Sequence, residues 1–243
     1  MAILMFFLLE RCIIGCSCLS FLYYRSNHLS KTLKKPQPKS EGQKQYIRSI
    51  QENKITICTG PAGTGKTLLA SRYAACYLFE QAVERIIIMR PMVQAGENTG
   101  FLPGDINEKM DPYIRPIYEE LKPYFTKEQL HIYITERIIE VVPFAYARGR
   151  SFHNAFIIAD ELQNATLDQL ILMLTRFGKG SKLVLTGDLD QSDLDHRERG
   201  GLLHVQNSIE KVKDVGVVKL THEDIQREPI IFDILYALEQ NRR

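Results

Sequence analysis

Residues 55–67 constrain this chain more than any other stretch. A β-branched run, Ile55-Thr56-Ile57-Cys58-Thr59, meets the octet Gly60-Pro61-Ala62-Gly63-Thr64-Gly65-Lys66-Thr67, which opens a helical pattern over 66–79. The octet fits G-x-x-x-x-G-K-[ST] between a strand and a helix, the context that this motif requires. Its glycines let backbone N–H groups turn inward around phosphates, and the helix N-terminus adds a positive dipole end. Lys66 would bridge the β- and γ-phosphates, and Thr67 would offer its hydroxyl to Mg²⁺. Gly60, Pro61, Ala62, Gly63, Thr64, Gly65, Lys66 and Thr67 are therefore the nucleotide-binding candidates.

The surrounding pattern alternates short apolar runs with helical stretches. Strands are expected over 55–59, 85–89, 138–142, 155–159, 182–186 and 217–220. Helices are expected over 66–79, 107–125, 166–177, 201–212 and 229–238, with Pro112, Pro116 and Pro123 kinking or dividing the second. Thr166 and Gln169 form a capping-box pattern at the third. Continuous apolar strands between helices predict a parallel sheet covered on both faces. The fold class is thus α/β, a RecA-like P-loop NTPase sheet flanked by helices. Ligands of such sheets lie beyond the carboxyl ends of the strands.

Two further motifs follow strands. The run Ala155-Phe156-Ile157-Ile158-Ala159 ends in Asp160-Glu161. Asp160 would hold Mg²⁺, and Glu161 would orient or deprotonate the attacking water. A carboxylate in that second position suits hydrolysis, because a phosphotransferase must keep water out. It therefore argues against a small-molecule kinase. After the next strand, Gly187-Asp188-Leu189-Asp190-Gln191 offers Gln191 as a contact for the γ-phosphate and Asp188 as a brace within the loop.

Composition limits the partners. The 243 residues carry 31 Lys+Arg and 29 Asp+Glu, a net charge of +2. Residues 26–40 hold four lysines and no acid, whereas 41–243 hold 25 bases against 28 acids. Any nucleic-acid contact in the body must be a local patch. No basic stripe or aromatic base-stacking series stands out, and Tyr113, Tyr118 and Tyr124 read more readily as core. The five cysteines form no C-x-x-C pair and no ligand cluster with histidine, which fits a cytoplasmic protein without a disulfide framework or zinc site.

Residues 1–25 are apolar but split by Glu10 and Arg11, a poor pattern for a spanning helix or a signal peptide. An extension without function is the favoured reading, over a membrane anchor and a cleaved export signal. Residues 26–40 read as a basic, Pro-containing, unordered linker, and 41–243 as the ATPase domain.

Over residues 40–238 the chain resembles the PhoH-like, phosphate-starvation-inducible ATPase family, related to the core of superfamily-one helicases. The resemblance rests on separate blocks: Gly42-Gln43, the octet, Arg90–Glu97 running on to Gly100–Asp105, Asp111–Pro116, Arg148–Phe152, Asp160–Asn164, Thr186–Asp188 and Asp224–Arg227. Leu162, Leu189-Asp190 and 225–228 depart from the family pattern.

The resemblance implies an adenine contact for Gln43, hence ATP with Mg²⁺, and an arginine finger at Arg227. Arg90 could meet nucleic-acid phosphate or nucleotide. Arg148 and Arg150 fit either nucleic-acid phosphates or acids at a protein–protein seam. Glu97 sits in a loop of unassigned chemistry. Superfamily-one helicases close their site between two ATPase-like domains, and 41–243 supply one. The resemblance therefore implies a homo-oligomer, a ring, with an arginine contributed across the interface. The leading reading is a Mg²⁺-dependent ATPase acting on RNA or single-stranded DNA. The alternative is an ATP-gated assembly or regulatory module with slow turnover.

Overall fold

A computed structural model describes residues 35–91, 115, 117–189, 191, 192, 194, 200–226 and 230. Its centre is a sheet of six parallel strands in the order β3-β2-β4-β5-β1-β6. The strands are β1 (Ile55–Thr59), β2 (Arg85–Met89), β3 (Ile139–Val141), β4 (Ala155–Ala159), β5 (Lys182–Gly187) and β6 (Val215–Lys219). The helices are α1 (Glu41–Glu52), α2 (Lys66–Phe79), α3 (Lys127–Thr135), α4 (Leu167–Leu174) and α5 (Gly201–Ile209).

Strand alternation explains why both faces are covered. Ile86, Ile88, Phe156, Ile158 and Val184 point to one face, where they pack with Tyr46, Ile47 and Ile50 of α1 and Leu69, Ala70 and Tyr73 of α2. Ile87, Met89, Ile157, Leu183 and Leu185 point to the other, against Leu170 and Met173 of α4 and Leu202 and Val205 of α5. The four inner strands β1, β2, β4 and β5 bury both of their faces, so period-2 amphipathicity is absent there and they read as solid apolar runs. Tyr118 and Tyr124 pack against the first core.

The expected strands are all present, with β6 beginning two residues before its apolar run. Val215 pairs with Ile55, and Gly216 fits there because an added Cβ would lie 2.1 Å from Ser49 Oγ of α1. The capping box at Thr166 forms as expected, but α4 stops at Leu174. Beyond it the chain turns so that Phe177 bridges Phe152 and leads into β5. Helices α1 and α3 go beyond the sequence expectations. Ser40 caps α1, and Thr126 with Gln129 forms the capping box that starts α3. Of the helix expected over 107–125, residues 117–121 are helical and Pro123 lies in the following turn. Residues 107–114 lie outside the described residues, as does the helix expected over 229–238 apart from Ile230.

The basic segment expected to be a linker as far as residue 40 already packs on the body from Lys35. Lys35 pairs with Glu80 at 2.9 Å, Pro36 is buried, and the Lys39 N–H donates to Gln43 Oε1 at 2.8 Å. Residues 1–25 and 26–34 lie outside the described residues. Among the described residues, no helix is long and apolar enough to cross a membrane.

One lysine ties two layers together. Lys182, at the start of β5, donates from Nζ to the carbonyls of Ile50, of Gln51 at 2.9 Å and of Asn53 at 2.8 Å. These close the C-terminal end of α1, where the helix dipole favours a cation. Burial pulls the Lys182 pKa down. Replacing it with methionine keeps the stem and removes the three bonds. Lys182→Met should cost about 2 kcal/mol, since bonds from a charged donor contribute about 1.5–3 kcal/mol. Thermal unfolding should show this as a midpoint lower by about 4–8 °C.

Candidate functional site

The octet lies beyond the end of β1 and turns into α2. Gly63 and Gly65 take left-handed conformations, with φ of 85° and 86°. Ser40, Thr126 and Thr166 cap α1, α3 and α4, but α2 begins on Gly65 with no side-chain cap. Its first N–H groups are therefore left to an incoming anion. Thr64 braces the loop by donating from Oγ1 to Pro61 O at 2.8 Å. Lys66 folds back over the loop and donates from Nζ to Gly60 O at 2.5 Å and Pro61 O at 2.9 Å.

Asp160 ends β4 and is 1% exposed. Its Oδ1 accepts from Thr67 Oγ1 at 2.8 Å and from Thr186 Oγ1 of β5. Its Oδ2 accepts from Arg90, at the end of β2, through Nε at 3.1 Å and through the adjacent guanidinium nitrogen. Thr67 and Asp160 thus place two hard oxygen donors in contact. That donor set suits Mg²⁺, which uses one or two protein oxygens and completes its shell with water and phosphate. The residues present fit the metal that the sequence implies.

Glu161 follows in a left-handed conformation, φ 58° and ψ 39°, uncommon for a residue with a Cβ. Its Oε2 accepts from Gln163 Nε2 at 2.6 Å. Gln163 Oε1 accepts from the Asp188 N–H at 3.0 Å. The sequence reading does not single out Gln163, although it stands inside the block Asp160–Asn164. The signal that could find it is a long amide two residues after a strand-end carboxylate.

Behind the octet stands a second set of braces. Gln43 is 4% exposed. Its Nε2 donates to Thr64 O at 3.0 Å while its Oε1 takes the Lys39 N–H. One N–H and one lone pair of the amide remain for a further partner. The Gln226 N–H donates to Gly63 O at 3.0 Å. Asp224 accepts from the Thr221 N–H at 2.8 Å. Burial alone would raise the Asp224 pKa, but donors from Ser40, Thr221 and Gly42 outweigh it and hold the carboxyl below its usual range.

These elements enclose one cleft of about 590 Å³. Lys66, Thr67, Asp160, Glu161, Gln163 and Gln191 line it, and so does Gln43. The structure therefore gathers the octet, the acidic pair and Gln191 from three separate stretches. Arg150 lies elsewhere. It pairs with both carboxylate oxygens of Glu140, at 2.9 and 2.7 Å, and stacks 4.9 Å from the Phe152 ring centroid. Arg227, Glu97, Asp190 and the loop 100–105 lie outside the described residues.

Over residues 35–239 the sequence matches the family model described as PhoH-like protein. A PhoH-like protein of Synechocystis sp. is 44% identical over 199 residues, covering 82% of this chain and 61% of that one. Protein PhoH of Escherichia coli is 38% identical over 201 residues, 82% of this chain and 57% of its own. The chain spans about three-fifths of the length of these curated relatives. Among solved structures, the large terminase from a thermophilic bacteriophage superposes with a TM-score of 0.54 at 12% identity, over 82% of this chain and 50% of that one. At that identity the likeness concerns the fold alone, a P-loop NTPase sheet.

A close approach at Gly42 offers a test of the braces. A Cβ there would lie 2.5 Å from both carboxylate oxygens of Asp224. Gly42→Ala should separate Asp224 from the start of α1 and lower stability by about 1–3 kcal/mol, the usual cost of forcing atoms into a packed site. Chemical denaturation of the two proteins measures it.

Proposed function

The chain belongs to the PhoH-like protein family, and from that premise we propose that it is a Mg²⁺-dependent ATPase acting on RNA or single-stranded DNA. The observation that carries the proposal is the convergence of Lys66, Thr67, Asp160 and Glu161 on one cleft with an uncapped helix start.

Each residue's part follows from its chemistry. The N–H groups of 60–67 wrap the phosphates. Lys66 exchanges its two loop carbonyls for phosphate oxygens, which carry more negative charge. Thr67 and Asp160 would hold Mg²⁺, which when bound neutralises charge on the phosphates and aligns them. Glu161 accepts the proton of the attacking water, and Gln191 contacts the γ-phosphate. Gln43, bonded to the octet at Thr64, has one donor and one acceptor left for an adenine base, which supports ATP as the nucleotide.

Nucleic acid is the proposed effector because the family resembles helicase cores. Arg150 contributes little to that contact, because Glu140 already occupies its fork. Arg148 is exposed and keeps its place in the proposal. Arg227 follows Gln226, which is bonded to the octet, and is our candidate for an arginine finger reaching a neighbouring copy in a homo-oligomer. A cytoplasmic location goes with this reading, since that is where ATP is plentiful.

Lys66→Ala should abolish nucleotide binding, whereas Glu161→Gln should bind ATP normally and fail to turn it over. Equilibrium binding and phosphate release, each with and without single-stranded RNA or DNA, separate the outcomes. Very slow turnover that neither polymer stimulates would favour the ATP-gated module. A Glu161→Gln protein hydrolysing at the normal rate would put the base elsewhere. Sedimentation with ATP and Mg²⁺ should show an oligomer. A fully active monomer would remove the arginine finger in trans.

A further inference from the structure

The amide of Gln163 sits between two parts of the cleft that belong to different strands. Glu161 follows β4, and Asp188 follows β5, its parallel neighbour. Gln163 donates a hydrogen bond to one and accepts a hydrogen bond from the other: Nε2 donates to Glu161 Oε2 at 2.6 Å, and Oε1 accepts from the Asp188 N–H at 3.0 Å. Its backbone makes a third tie, because Ser192 Oγ donates to Gln163 O at 2.9 Å. The strand end is shaped for this approach. A Cβ on Gly187 would lie 3.1 Å from Gln163 Oε1 and 2.5 Å from Leu202 Cδ2.

The backbone at Glu161 is the second observation. A left-handed glutamate costs about 1–3 kcal/mol and persists only where its surroundings over-determine it. The carboxylate is exposed, so packing does not fix it. Gln163 is its hydrogen-bond partner among the described residues.

We infer that Gln163 is a positioning residue: anchored to the end of β5 through the Asp188 N–H, its amide holds the Glu161 carboxylate in its water-orienting place. This rests on the hydrolysis reading above, with Glu161 as the base.

Two substitutions divide the roles of the amide. Methionine at 163 keeps the length and loses both bonds. Glutamate keeps an acceptor for the Asp188 N–H, but it cannot donate to Glu161 and sets a like charge beside it. If alignment of Glu161 is what matters, Gln163→Met and Gln163→Glu should each lower kcat by about 10²-fold, the order expected when a reacting group is displaced by about 1 Å. Affinity for a fluorescent ATP analogue should stay within about twofold of wild type, because neither variant touches the phosphate cradle. In a Glu161→Gln background, read as the residual rate of a single turnover at enzyme excess, Gln163→Met should cost nothing further, as expected for residues acting as one unit.

Three results would overturn the inference: normal kcat in folded Gln163→Met, normal kcat in Gln163→Glu, or an equal loss in both Glu161 backgrounds. Thermal unfolding of each variant identifies one that fails to fold, and the other then carries the test. A wild-type protein with no Mg²⁺-dependent turnover would remove the hydrolysis reading itself. Normal wild-type turnover with an inert Glu161→Gln and a normal Gln163→Met would remove only the role of Gln163.

Discussion

A buried carboxylate organises this molecule. Asp160 is withdrawn from water, and an ionised carboxylate there is costly unless opposite charge and hydrogen bonds replace the lost hydration. The replacements come from three directions: Thr67 at the start of α2, Thr186 on β5 and Arg90 at the end of β2. Each donor belongs to a different segment of the chain. Satisfying one charge therefore fixes the relative positions of the β1–α2 junction and the ends of β2, β4 and β5. Arg90, itself only 14% exposed, is bound by the same logic.

The octet is held as firmly from behind as Asp160 is held from below. Gln43 reaches Thr64, Gln226 reaches Gly63, and Asp224 closes the start of α1. All three ties use backbone groups of the loop or of a helix end, so they constrain its shape without occupying its inward N–H groups. A cradle shaped in advance loses less entropy when a ligand arrives. In this state Lys66 and Arg90 rest on acceptors of the protein itself. Any anion reaching Lys66 would have to replace these contacts, which favours strongly charged groups.

The sheet and much of the site are legible in the sequence because their signals are local. An apolar run of five residues ending in Asp160-Glu161 carries strand and acid together, and the octet carries turn, dipole and lysine together. Gln163 is not legible. Its role depends on β5 lying beside β4, and adjacency in the sheet is not written in either segment. Helix α1 escapes notice for a related reason: its apolar residues Tyr46, Ile47 and Ile50 are few, and its ends are secured by distant partners, Asp224 and Lys182. Arg150 reads as a contact for nucleic-acid phosphates or for acids at a protein–protein seam because Glu140, ten residues earlier, looks like one more strand residue until the fold brings it to the guanidinium.

Strand order sets the size of the cleft. β5 separates β4 from β1, so the ends of those two strands leave a gap of two strand spacings, about 10 Å, which the octet spans as Thr67 Oγ1 reaches Asp160 Oδ1 at 2.8 Å. The intervening strand must leave the gap open, and it ends in Gly187, whose missing side chain lets Gln163 and Leu202 close in from the side. A bulkier residue there would fill the floor and push Gln163 away from Asp188 at once. The width of the cleft and the hydrogen bond between Gln163 and Asp188 are therefore set by the same few atoms at the end of β5. A change made to enlarge or narrow the first cannot leave the second untouched.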